Sequence, residues 1–147
     1  MASSRGHARG SAALEAQAYL DKAREFLRAA RDSLDLANYT AAAGNAVHAG
    51  IAAADAISTA LSRTVWRGEH AQAVRHLESA GIEGKAAARH LRRLLPMKTR
   101  AEYDPAPMRA AEAKAAVQAA ERIVDQAAAA VASALPDEKG GSKRPSA

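Results

Sequence analysis

The sequence predicts an all-α protein, an antiparallel bundle of about five helices. Three observations carry that expectation. Alanine dominates the composition and aromatics make up only 3% of it. Alanine has the best helix propensity, and the β-branched residues that favour strands are few. Apolar residues recur at helical spacing in segment after segment, and the breaks between segments are short, which makes consecutive helices antiparallel. A chain of 147 residues fits one domain with ragged ends and can bury a core without metals or disulfides.

Residues 1–10 are small, polar and basic and read as a flexible arm. A first helix is expected from about Ser11 to Leu36, with Leu20, Leu27 and Leu34 at heptad spacing beside Ala23, Phe26 and Ala30. Its opposite face holds Asp21, Arg24, Arg28, Arg31, Asp32 and Asp35, the pattern of a solvated charged face. Asn38, Tyr39 and Thr40 break the pattern and supply cap residues. A second helix follows to about Arg63, striped by Val47, Ile51, Ala54 and Leu61, with Gly44 and Gly50 placed for close helix approach.

Trp66-Arg67-Gly68 marks a turn, and a shorter helix from about Glu69 to Ala80 carries Val74 and Leu77. After a break at residues 81–84, Lys85 to Leu95 forms a basic helix expected to stop before Pro96. Residues 96–107 contain three prolines and read as a loop. The last helix is expected from about Pro107 to Leu135. Its Val117, Val124 and Val131 repeat every seven residues, which suits the core better than a helical dimer seam. The domain therefore spans 11–135, and the polar, Gly/Pro-rich residues 136–147 read as a disordered tail.

Composition excludes several chemistries. There is no cysteine, hence no disulfide, thiolate metal site or cysteine nucleophile; this suits a reducing cytoplasm. No apolar run follows Arg5 and Arg9, so the N-terminus is not a secretory signal, and no stretch approaches the ~20 apolar residues of a membrane span. No Gly-rich phosphate loop, His-Glu-x-x-His pair or nucleophile elbow is present, and none of the five histidines pair at i,i+4, so neither a metal nor a cofactor is expected.

The positive signal is cationic. Net charge is +5, which favours anionic partners, nucleic acid ahead of a membrane surface. Lys85, Arg89, His90, Arg92, Arg93, Lys98 and Arg100 occur with no acid among them before Glu102. Lys85, Arg89 and Arg92 lie at i, i+4 and i+7 and share a helix face that can neutralise successive phosphates. The bland reading is a solvated face, but these charges run on past the expected helix unquenched by carboxylates.

Three segments resemble HEPN domains. AARDSLDLANYTAAAGNAVHAGIAAADA, residues 29–56, looks like their first helical hairpin. GEHAQAVRHL, residues 68–77, resembles their third-helix start, and LLPMKTRAEYDP, residues 94–105, the stretch before their last helix. The resemblance implies a helical bundle that dimerises through the face bearing its key motif. It also implies RNA or nucleotide as ligand, either bound or cut by a metal-independent ribonuclease, within toxin–antitoxin or phage-defence modules. A nucleotidyltransferase-like or antitoxin protein is the partner it suggests. The nuclease motif of the family is an Arg, then four to six residues, then a His. At the equivalent place stand Lys98, with Thr99 as polar neighbour, and Tyr103.

That departure shifts the balance towards binding. Lysine offsets phosphate charge without the bidentate fork of arginine. Tyrosine, with a reference pKa of about 10, is poorly matched to proton transfer at neutral pH. The catalytic candidates are Lys98, Tyr103, His70 and Asp55; the phosphate-binding candidates are Lys85, Arg89, Arg92, Arg93 and Arg100. Each has a structural counterpart: His70 as a helix-start residue, Asp55 in an ion pair with Arg63 or Arg100, His48 as a satisfied bundle histidine, Tyr39 and Tyr103 as wedges, Trp66 covering the bundle end. The leading expectation is a dimeric RNA- or nucleotide-binding domain. Its rivals are a diverged ribonuclease and a non-enzymatic, antitoxin-like protein-binding bundle.

Overall fold

In the computed structural model, which describes residues 2–62 and 70–134, five helices follow one another: α1 (Ala2–Asp35), α2 (Tyr39–Ser62), α3 (His70–Glu78), α4 (Ile82–Tyr103) and α5 (Ala110–Ser133). No strand occurs among the described residues. None of these helices is long and apolar enough to cross a membrane. Trp66 and Arg63 lie outside the described residues, as does the expected tail 136–147.

The apolar stripes read from the sequence become the core. Leu20 and Leu27 of α1 are buried, Leu34 is half-buried, and the charged residues opposite face solvent. On α5, Val117, Val124 and Val131 are 3%, 5% and 2% exposed within the single chain, so this stripe is core and not a dimer seam. Helix α2 lies at the centre, packed on α1, α4 and α5, which is why most of its residues are apolar and many of them are buried. Alanine at so many of these positions lets the backbones approach closely. Gly50 shows how closely: a Cβ there would meet a Leu94 methyl of α4 at 2.4 Å. Gly44 is less constrained: a Cβ there would meet Ala101 Cβ at 4.0 Å.

The α1–α2 turn is closed by two backbone bonds, Asn38 N to Ser33 O at 2.8 Å and Ala37 N to Leu34 O at 3.0 Å. This is the Schellman arrangement, in which the residue between helix end and exit is left-handed. Here that residue is Ala37, at φ 60°. A left-handed alanine costs roughly 1–2 kcal/mol that glycine does not incur. Ala37→Gly is therefore expected to raise stability by about 0.5–1 kcal/mol, read as a higher urea midpoint with an unchanged m-value.

Two segments differ from the expectations drawn from sequence. Residues 2–10, expected as a flexible arm, continue α1 as helix. And α4 does not stop before Pro96 but carries it internally and runs to Tyr103, so the loop shrinks to residues 104–109 and α5 starts at Ala110. Proline removes one backbone bond and crowds the carbonyl four residues back. That cost is borne because the helix is anchored on both sides of it. Leu91 and Leu94 are fully buried ahead, and behind it Arg100 pairs with Glu112 of α5. Pro96 itself faces outward, where its ring meets solvent.

The short loop is tied down locally. Asp104 Oδ1 accepts from Ala106 N at 2.9 Å, Thr40 Oγ1 accepts from Met108 N at 3.2 Å, and Glu112 Oε1 accepts from Arg109 N at 3.1 Å. Buried Met108 pins it to the core. The loop thereby fixes where α4 ends relative to α2 and α5.

Candidate anion-binding face

Helix α4 buries Gly84, Ala87, Ala88, Leu91 and Leu94. At about 100° per residue, that inward stripe leaves Lys85, Arg89, Arg92 and Arg93 on the outside, and all four are exposed. Arg92 is held by Glu78 of α3 at 2.6 Å. Lys85, Arg89 and Arg93 have no carboxylate partner among the described residues. Solvated cations of this kind are free to exchange water and counterions for phosphate oxygens.

A fourth cation comes from α5. His90 lies between Arg89 and Arg93 in sequence, and its imidazole is held below the usual 6.5 by burial first, then by Arg93, Arg122 and Arg89. Arg122 therefore belongs to the same positive field, and it too has no partner among the described carboxylates. The sequence reading missed it. Its sequence neighbour Glu121 pairs with Arg31 of α1 at 2.6 Å instead, and nothing local marks Arg122 as facing α4.

The lowered His90 pKa makes stability depend on pH. The unfolded chain takes up a proton near the ordinary imidazole value, the folded one only at lower pH. Between those two values the unfolded state binds more protons, so stability falls as pH drops from neutrality through that window. His90→Gln is expected to lessen the fall in melting temperature between about pH 7 and pH 5.5, measured against wild type in the same buffers.

The residues matched to a nuclease motif are placed differently. Lys98 is half-buried, with Nζ 3.2 Å from Glu102. Arg100 pairs with Glu112 and lies 3.9 Å from Asp104, so it braces the α4–α5 loop. Tyr103 is the last residue of α4 and 76% exposed. Five positions along a helix turn Lys98 and Tyr103 about 140° apart, so one chain does not present them on one face. Thr99 and Tyr103, four apart, do share one.

The other candidates are scattered. Asp55 is half-buried in α2 and has a partner, but Arg100 pairs elsewhere, and Arg63 lies outside the described residues. His70 opens α3, and its side chain lies outside the described residues. His48 is exposed, its ring 5.1 Å from that of Phe26, rather than buried in the bundle. Tyr39 is half-buried against the core. No group of three or more His, Asp or Glu side chains among the described residues is arranged to hold a metal ion.

Beside the basic face lies a cleft of about 720 Å³ between α3 and α4. Val74 and Arg75 line it from α3, and Arg92, Leu95, Pro96, Lys98 and Thr99 from α4. Sequence reading missed it because its walls come together only through the turn at residues 79–81, where Ser79 and Ala80 bond back to α3 and Gly81 has φ 101°.

A family model described as HEPN domain matches residues 16–129, from the middle of α1 to the last turns of α5. No curated protein matches the chain.

Proposed function

Because the chain belongs to the HEPN domain family, we propose that it binds RNA through the outer face of α4 and Arg122 of α5 beside it, with Lys85, Arg89, Arg93 and Arg122 as its phosphate contacts. One observation carries this reading: these four exposed cations lack carboxylate partners among the described residues, whereas Arg92, Lys98 and Arg100 are each paired. Three free cations along α4, with Arg122 of α5 beside them, match the repeating charge of a phosphate backbone. Arg92 would join the row by exchanging Glu78 for phosphate. Family membership supports a homodimer in the cytoplasm as the working assembly. It also supports a toxin–antitoxin or phage-defence setting, with a nucleotidyltransferase-like or antitoxin protein as partner.

A second reading, a metal-independent ribonuclease, draws on the exposure of Tyr103 at the C-terminus of α4, where a second subunit can reach it. Lys98, His70 and Asp55 would complete such a site between subunits. Incubation of the purified protein with total RNA in EDTA, beside the Lys98→Ala/Tyr103→Phe double variant, separates the readings. Salt-sensitive RNA retention by both proteins with cleavage by neither is the expected result. Cleavage by wild type alone establishes the ribonuclease. Retention by neither removes RNA from the account and leaves the protein-partner reading.

A further inference from the structure

His90 holds a position on α4 that its basic neighbours do not share. At about 100° per residue, Ala86, His90, Arg93 and Met97 fall on one flank of the helix, beside the buried stripe. Ala86, His90 and Met97 are half-buried there, whereas Arg93 is exposed. This flank is the one turned to α5, because the opposite flank, with Leu95 and Thr99, lines the cleft against α3. The charged groups acting on the His90 ring are Arg93 and Arg89 of its own helix and Arg122 of α5. None comes from α2 or α3, and the α5 carboxylates nearest Arg122 in sequence, Glu121 and Asp125, are not among them. The three arginines are exposed and have no carboxylate partner among the described residues.

An imidazole set among such cations responds to whatever neutralises them. In the protein alone, its proton is opposed by burial and then by the three guanidinium charges. A phosphate held by Arg93, Arg89 and Arg122 offsets those charges and adds a negative one beside the ring. The complex therefore binds a proton at a pH where the free protein does not. By linkage, affinity rises as pH falls through that window. The sign is opposite to that for stability: the proton that destabilises the free protein below neutrality tightens the complex.

We propose that His90 couples phosphate binding at the α4–α5 edge to uptake of one proton, so that the basic face holds RNA more tightly at mildly acidic pH than above neutrality. As a property of RNA binding this rests on the RNA-binding reading above; as a proton-coupled phosphate site it stands on the cluster itself.

An oligouridylate is the suitable probe, since neither uracil nor the phosphodiester changes charge across this range. Its affinity would be measured at constant salt from about pH 7.5 to pH 5.5 for wild type and His90→Gln. The other four histidines are common to both proteins, so the difference between them isolates His90. Wild type should gain about fivefold more than His90→Gln over this range, and the two should bind alike at its upper end. The His90 imidazole, followed by NMR in wild type, should titrate at higher pH with saturating oligouridylate than without. In free Arg122→Gln it should titrate at higher pH than in free wild type. Parallel pH profiles of wild type and His90→Gln overturn the proposal, as does a His90 titration that saturating ligand leaves in place. The NMR titration needs no variant, so a poorly folding His90→Gln does not shelter the idea. Should oligouridylate bind at no pH, the RNA-binding reading fails, and the same titration with inorganic polyphosphate decides the site. An upward move of His90 then establishes a proton-coupled phosphate site without RNA; no move overturns it.

Discussion

Gly84→Ala is expected to destabilise the protein by about 3 kcal/mol, the upper part of the range for overpacking a tight contact, and to lower its melting temperature by roughly 10 °C. The cause is the seat of α4 on α3. A Cβ at position 84 would stand 2.0 Å from the Leu77 carbonyl oxygen, 3.0 Å from Ala80 Cβ and 3.2 Å from the Leu77 carbonyl carbon. Leu77 is fully buried, so its backbone cannot step aside without disturbing the core. Alanine would recover ~1 kcal/mol of helix propensity, which the clash outweighs. Gly44→Ala is the internal control. There the new methyl meets Ala101 Cβ at 4.0 Å, ordinary contact, and the propensity gain should appear as a rise of about 0.5–1 kcal/mol. Chemical denaturation of the two variants reads both signs. Equal loss in both would mean that the α3–α4 seat is not specially tight, and with it the cleft would lose its fixed walls.

The contrast between these glycines shows what a sequence makes legible. Glycine inside a helical pattern signals close approach, but not against what. Gly44 and Gly50 looked alike, yet only at Gly50 would an added Cβ meet a side chain at 2.4 Å. The heptads of Leu20 and Leu27 and of Val117, Val124 and Val131 were readable because burial follows local periodicity. Pro96 misled because its penalty is local whereas the pairing of Arg100 with Glu112, which holds the helix beyond it, comes from another helix. The site divided the same way. The cations of α4 were visible as a run, but which of them are free depends on Glu78 and Glu112, fourteen and twelve residues away. Arg122 and Arg75 stayed unnoticed because each matters only through its neighbour across a helix interface.

Reversal of charge at the unpaired cations should have the largest effect on binding. Arg89→Glu/Arg93→Glu is expected to weaken RNA affinity on the order of 100-fold near 100 mM salt, taking each lost charge-assisted contact as about 1.5 kcal/mol and tenfold per 1.4 kcal/mol. The slope of log affinity against log salt should flatten by about 1.4, at ~0.7 per phosphate released from a single strand. Both residues are exposed and unpaired, so the double variant should melt close to wild type, and their repulsion with Arg122 should ease. Arg100→Gln offers the opposite profile. Its guanidinium braces Glu112 and Asp104, so its loss should cost stability of about 1 kcal/mol while leaving the salt slope unchanged. Filter retention across a salt series, with melting curves on the same proteins, distinguishes a cation that meets phosphate from one that holds the fold. An unchanged slope in Arg89→Glu/Arg93→Glu would remove the α4 face from RNA binding. A slope that flattened in Arg100→Gln instead would move the contact to the α4–α5 loop, beside Tyr103.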